Sequence, residues 1–97
     1  MSTLHVLSHS PFGDDRLSSC LRLIGVNDAL LLSGDAAYAL QPGTAPFSAL
    51  YARGLKLYVL AEDAQARAIA IPDWAKAVDY PAFVELSIHH DKVNSWL

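Results

Sequence analysis

Cys20 is the only thiol among the 97 residues of the chain, and a thiol becomes a nucleophile or a metal ligand once it ionises. Its neighbours assign it two opposed roles. Leu17, Cys20, Leu21 and Ile24 recur at i, i+3, i+4 and i+7, so the sulfur falls on the apolar stripe of a helix. Free cysteine is among the residue types most often buried there. The same residue also sits early in that helix, where the dipole lowers the pKa of an accessible thiol. Both readings, core thiol and reactive thiol, stay open at this level.

The remaining candidates are polar. His5 and His9 flank an apolar run, and each reads as a hydrogen-bonded histidine at a strand edge, since buried polar groups find partners. His89, His90 and Asp91 are consecutive. Adjacent helical side chains point about 100° apart, so these two imidazoles do not converge on one ion. With one cysteine, and with the one histidine pair four apart, His5 and His9, flanking a strand rather than sharing a helix face, no metal site is expected. His89, His90 and Lys92 instead complement the dipole at the end of the last helix. The loop Ser8 to Gly13 holds a single glycine, which leaves out both the dinucleotide fingerprint and the Walker A loop, so no cofactor is expected. Ser33-Gly34-Asp35 forms a second rim element, with Asp35 read as a helix N-cap. A Ser, His and Asp triad is a spatial arrangement that spacing neither builds nor removes.

Several short elements must position these groups. Leu4 to Leu7 reads as a first strand, and Asp14 or Asp15 caps the helix that carries Cys20 and stops at Gly25. Asp28 to Leu32 is apolar after its first residue, as expected of a parallel strand covered on both faces. A short helix follows over Ala36 to Leu40. Phe47, Leu50 and Tyr51 share the face of another helix, which ends at Gly54. Leu55 to Leu60 is the next strand, then Glu62-Asp63 opens a helix over Ala64 to Ala68. The stretch from Ile69 to Trp74 has no clear assignment. Ala77 to Asp79 reads as a last short strand, and Tyr80 to Ile88 as a helix with Pro81 early, where its missing N–H costs nothing. Alternating strands and helices predict a three-layer α/β/α sandwich with a small, mainly parallel sheet of four or five strands.

Composition bounds what such a fold does. One domain spanning residues 1–97 is expected, and a chain this short buries only about 60–70% of its unfolded surface. Yet 53% of its residues are hydrophobic and 18% are charged. That excess points to an interface. The tail sharpens the point, because Trp96 and Leu97 each forgo about 1.5–3 kcal/mol if left in water. Either the tail folds over its own core or it contacts another subunit, which makes Phe83, Lys92, Trp96 and Leu97 candidate partner-contact residues. A net charge of −3 with seven scattered Lys and Arg excludes a phosphate-binding patch, so direct nucleic-acid binding is not expected. No apolar run approaches the roughly 20 residues of a membrane span. The start lacks a signal peptide's basic region, and one cysteine suits a reducing compartment; a cytoplasmic protein is expected.

An ordered set of segments carries a resemblance. Leu4-His5-Val6-Leu7-Ser8-His9-Ser10-Pro11-Phe12, the strand-closing Gly34-Asp35, Tyr58 through Arg67, and Asp79 through Trp96 with its ending His90-Asp91-Lys92-Val93-Asn94-Ser95-Trp96 resemble the TusB/DsrH family. The resemblance covers nearly the whole chain and implies a DsrEFH-like fold. It also implies a cytoplasmic subunit that joins TusC-like and TusD-like relatives in a heterohexamer. Such a complex relays persulfide sulfur for 2-thiolation of the tRNA wobble uridine. The TusD-like subunit is then the principal sulfur acceptor, and this chain is an accessory component of a sulfurtransferase complex. The DsrH branch implies an alternative, in which Cys20 is itself a catalytic persulfide carrier in sulfur oxidation. A small regulatory ligand-binding α/β domain is the reading that uses the fold alone. Asp35-Ala36 stands where many members have Asp-Gly, so a left-handed residue at Ala36 would be costly.

Overall fold

A computed structural model of the chain describes residues 2–96. Five strands run β1 (Thr3–Leu7), β2 (Ala29–Leu32), β3 (Lys56–Leu60), β4 (Lys76–Val78) and β5 (Lys92–Trp96), in the spatial order β4-β3-β2-β1-β5. Every pairing is parallel. Parallel neighbours cannot be joined by a tight turn, so each strand is joined to the next by a crossover. These are α1 (Arg16–Leu23), a 3-10 helix (Gly34–Leu40) with α2 (Ala45–Arg53), α3 (Ala61–Ala66) and α4 (Tyr80–His89). The expected α/β/α layering is present, with five strands.

Strand alternation divides the core in two. Leu7, Leu30, Leu32, Leu57 and Val59 point to one face, where they pack against Leu17, Cys20 and Leu21 of α1, the 3-10 helix, Leu50 of α2 and Ala64 of α3. Leu4, Ala29, Leu31 and Val78 point to the other, which is covered by Ala82, Phe83 and Leu86 of α4. The first face is closed by several elements and the second by one helix. All four residues of β2 are buried, which explains its unbroken apolar sequence.

The element ends depart from the sequence reading in ways that have physical reasons. Asp28 precedes β2 rather than opening it, because its carboxylate is turned onto backbone N–H groups. Ser33, not Asp35, is the N-cap residue of the 3-10 helix, and Asp35 lies in its first turn beside Arg67 at 2.9 Å. The left-handed conformation falls on Gly34, at φ 51°, so Ala36 is not strained. Lys92 lies outside α4 and begins β5, so it does not complement that helix's dipole; His89 does lie in the last turn. Asp79 is the N-cap of α4 and accepts the Ala82 N–H at 2.9 Å. His5 belongs to an interior strand, flanked by β2 and β5, rather than to a sheet edge.

Gly34 is the tightest of these turns. Its N–H donates to Asp63 Oδ2 at 2.8 Å, and an added Cβ would meet the Ser8 carbonyl at 3.3 Å. We expect Gly34→Ala to destabilise the chain by about 1–2 kcal/mol, the cost of a left-handed alanine, as read by urea unfolding; unchanged stability would contradict the turn described.

Candidate functional site

Cys20 lies in the middle of α1 with its side chain on the sheet, and none of it reaches solvent. Burial pushes the thiol up to about 11; the negative charge of Asp28 adds to this, and Arg53 opposes it. A thiolate is the reactive form, and this environment disfavours it. The helix-dipole effect considered from the sequence is outweighed, because desolvation acts on the whole side chain.

The polar group on the same sheet face is His5. It is 5% exposed and draws its partners from the turn before β2 and from the end of β5. Its Nε2 lies 3.3 Å from Asp28 Oδ2, and the Trp96 indole Nε1–H donates to its Nδ1 at 3.1 Å. An indole N–H only donates, so Nδ1 must be unprotonated and the ring proton sits on Nε2, aimed at Asp28. Asp28 is the third link. The Gly25 N–H holds its carboxyl below the usual range despite partial burial, helped by the Thr3 N–H and by His5. The chain Trp96–His5–Asp28 therefore ties β5, β1 and the start of β2 together, and no polar side-chain atom buried within the described residues is left without a partner.

The C-terminal ends of the strands, where open α/β sheets commonly build sites, form a cleft of ≈ 320 Å³ lined by Val6, Ser33, Leu60, Glu62, Asp63 and Phe83, among others. Its polar groups are largely committed to the fold. The Ser33 hydroxyl donates to the Leu7 carbonyl at 3.0 Å, and Asp63 accepts from Gly34 at 2.8 Å. Arg67 bridges Asp35 to the Asp63 carbonyl, at 3.0 and 3.1 Å, and lies 6.0 Å from the centre of the Tyr38 ring. Cys20 is not among the lining residues of this cleft. The cleft presents carboxylates and apolar surface, which is a binding chemistry rather than a nucleophilic one.

The candidate contact residues separate onto different surfaces. Trp96 is half-buried on the α1 side of the sheet, against the larger core. Phe83 lies across the sheet on α4, stacked on Tyr80 with ring centres 5.8 Å apart and planes 6° from parallel. Lys92 is exposed at the start of β5. Leu97 lies outside the described residues. Sequence reasoning missed the pairing of Trp96 with His5, 91 positions apart, and the part played by Asp28. It also gave no weight to the outer stripe of α4, where Tyr80, Val84 and Ile88 recur at i, i+4 and i+8 and are 63%, 49% and 71% exposed.

Comparison with known proteins fixes the family. Residues 9–93 match the family described as DsrH like protein. Protein TusB of Erwinia tasmaniensis is 39% identical over 95 residues, covering 96% of this chain and 99% of that protein. Protein TusB of Enterobacter sp. and Protein TusB of Pectobacterium parmentieri are 37% and 36% identical over the same shares. The crystal structure of the ychN protein from E. coli matches with a TM-score of 0.73 at 15% identity, over 99% of this chain and 100% of that one, a likeness of fold. Matched by the family over most of its length, and by these three relatives at more than a third identity across nearly all of it, the chain belongs to the TusB/DsrH family.

Proposed function

We propose that the chain is an accessory subunit of a cytoplasmic sulfur-relay complex that serves 2-thiolation of the tRNA wobble uridine, assembled as a heterohexamer with TusC-like and TusD-like subunits. The observation that carries this reading is the likeness to proteins named TusB over nearly the whole chain, joined to a sole cysteine with no solvent access. Its contribution is then a surface, and sulfur is carried by a partner. A persulfide carrier needs an accessible thiolate. The burial of Cys20 and the upward shift of its pKa weigh against that alternative. None of the described helices is long and apolar enough to cross a membrane, in keeping with a chain whose apolar excess serves an interface.

The contact surface proposed is the α4 side. A sheet of five strands is about 19 Å across between its outer strands, and a helix with its side chains is about 10–12 Å wide. One helix therefore leaves apolar surface at the margin. Val93 of β5 is 45% exposed, and α4 has no fully buried residue although most of its side chains are apolar. Phe83 and the Tyr80, Val84 and Ile88 stripe supply the apolar centre of the contact, and Val93 continues it onto the edge strand; Trp96 and Lys92 fall on the opposite, α1 side of the sheet and are not part of it. Such a centre with a polar rim is the usual anatomy of a subunit interface.

Two outcomes follow. In a strain lacking the gene, 2-thiouridine in bulk tRNA, measured by liquid chromatography and mass spectrometry, should fall, and Cys20→Ala should restore it as fully as the unmodified chain. Alanine is chosen because it buries no hydroxyl. Unchanged 2-thiouridine on deletion would reject the tRNA assignment, and failure of Cys20→Ala despite normal accumulation would make Cys20 the carrier. Separately, Val84→Lys with Ile88→Glu should leave the melting temperature nearly unchanged, since both side chains face water, while reducing co-purification of TusC-like and TusD-like partners by roughly tenfold or more. Undiminished co-purification would remove α4 from the interface.

A further inference from the structure

We propose that His5 is a proton-operated latch for the C-terminal strand: a second proton on its ring breaks the bond to the Trp96 indole and frees the one β5 side chain that reaches the core. The geometry supplies the logic. Lys92, Val93, Asn94 and Ser95 are all exposed, and Trp96 alone in β5 packs against the main cluster. Its side chain is held there by the 3.1 Å bond to His5 Nδ1 and by the neighbouring ring, with centres 6.2 Å apart and planes at 37°.

The two sides of the imidazole respond oppositely to a proton. Trp96 Nε1–H is a donor only, so it needs Nδ1 as an acceptor. A proton arriving from solvent on Nδ1 turns that acceptor into a donor, and two N–H groups then face each other with no lone pair between them. The Nε2–H stays directed at Asp28 Oδ2, 3.3 Å away, where the imidazolium charge strengthens the bond. Protonation therefore keeps His5 on Asp28 and expels Trp96. A buried donor without a partner is costly, so the indole has to swing outward.

The surrounding charges leave Nδ1 as the responsive atom. Asp28 stands at the Nε2 side and is fixed by the Gly25 and Thr3 N–H groups at 2.8 and 2.9 Å. From α1, Cys20 contributes a neutral thiol and Arg22 is bonded to the Ser19 hydroxyl at 3.3 Å. From α2, the Arg53 guanidinium donates to the Leu21 carbonyl. From β5, Asn94 is the register partner of His5 and does not titrate, and Lys92 stays at the exposed start of the strand. The backbone ladder between β5 and β1 survives loss of the side-chain bond, so the change is local to the strand's end.

The test is nuclear magnetic resonance on the full chain, with Trp74→Phe used to assign the two indole N–H signals. At neutral pH, the His5 ring nitrogen shifts should show Nδ1 unprotonated and the Trp96 indole N–H protected from exchange. On acid titration, protonation of Nδ1 should coincide with a roughly tenfold or greater loss of Trp96 protection, the scale of one lost net hydrogen bond, while the amides of Leu30 and Leu31 stay protected. His5→Gln offers a carbonyl toward Trp96 and an amide toward Asp28 without titrating, and it should abolish the transition. Trp96 protection that persists through protonation of His5 overturns the proposal, as does a proton found on Nδ1 at neutral pH or an unchanged transition in His5→Gln. If His5→Gln does not fold, the ring and indole signals of the unmodified histidine decide the matter.

Discussion

Everything in this small fold follows from having a sheet whose strands are all parallel. Each parallel pair requires a crossover, and a short chain has few helices to distribute. The connections after β1, β2 and β3 pack on one face, leaving α4 alone on the other as it carries the chain from β4, at one edge, to β5, at the opposite edge. The first face is thereby sealed and the second is thinly covered. The high apolar fraction follows from this asymmetry, since residues that would be core beneath a second helix remain at the surface of α4 and β5.

The sealed face determines the chemistry of the thiol. Cys20 sits where water is excluded and where the carboxylate of Asp28 opposes a second negative charge, so its sulfur behaves as a small apolar side chain. The same exclusion of water makes the His5 bonds consequential, because an unpaired polar group is costly there. Trp96, His5 and Asp28 solve that problem together. Each satisfies its neighbour, and the outcome is that the last described residue of the chain is fastened to the sheet's interior strand.

How much of this was legible in the sequence depended on how local each signal was. The second strand reads as a covered parallel strand because Ala29, Leu30, Leu31 and Leu32 are all apolar, and all are buried. The α1 stripe placed Cys20 on a buried face by spacing alone, and Pro81 marked the start of α4 as an early proline, whereas Asp79, read as the end of a strand, is the capping residue of that helix. The strand β5 carried no such signal. Lys92, Val93, Asn94, Ser95 and Trp96 form an edge strand held by backbone pairing and one aromatic side chain, which leaves no stripe to recognise. Asp28 was read as the first residue of a strand because its partners, Thr3, His5 and Gly25, are brought to it only by folding. The exposed stripe of α4 was not picked out, because its exposure depends on how many helices share the face.

The view that this chain supplies a surface while another subunit carries the sulfur rests on a thiol that water does not reach. The most direct measurement is the rate at which iodoacetamide alkylates Cys20 at pH 7, followed by intact mass, in the native chain and after unfolding in guanidinium. Modification confined to the unfolded chain is the predicted result, because the native thiol is buried and its pKa stands at about 11. Alkylation of the native chain at the rate of an unfolded cysteine, or faster, would show an accessible thiolate and contradict the account.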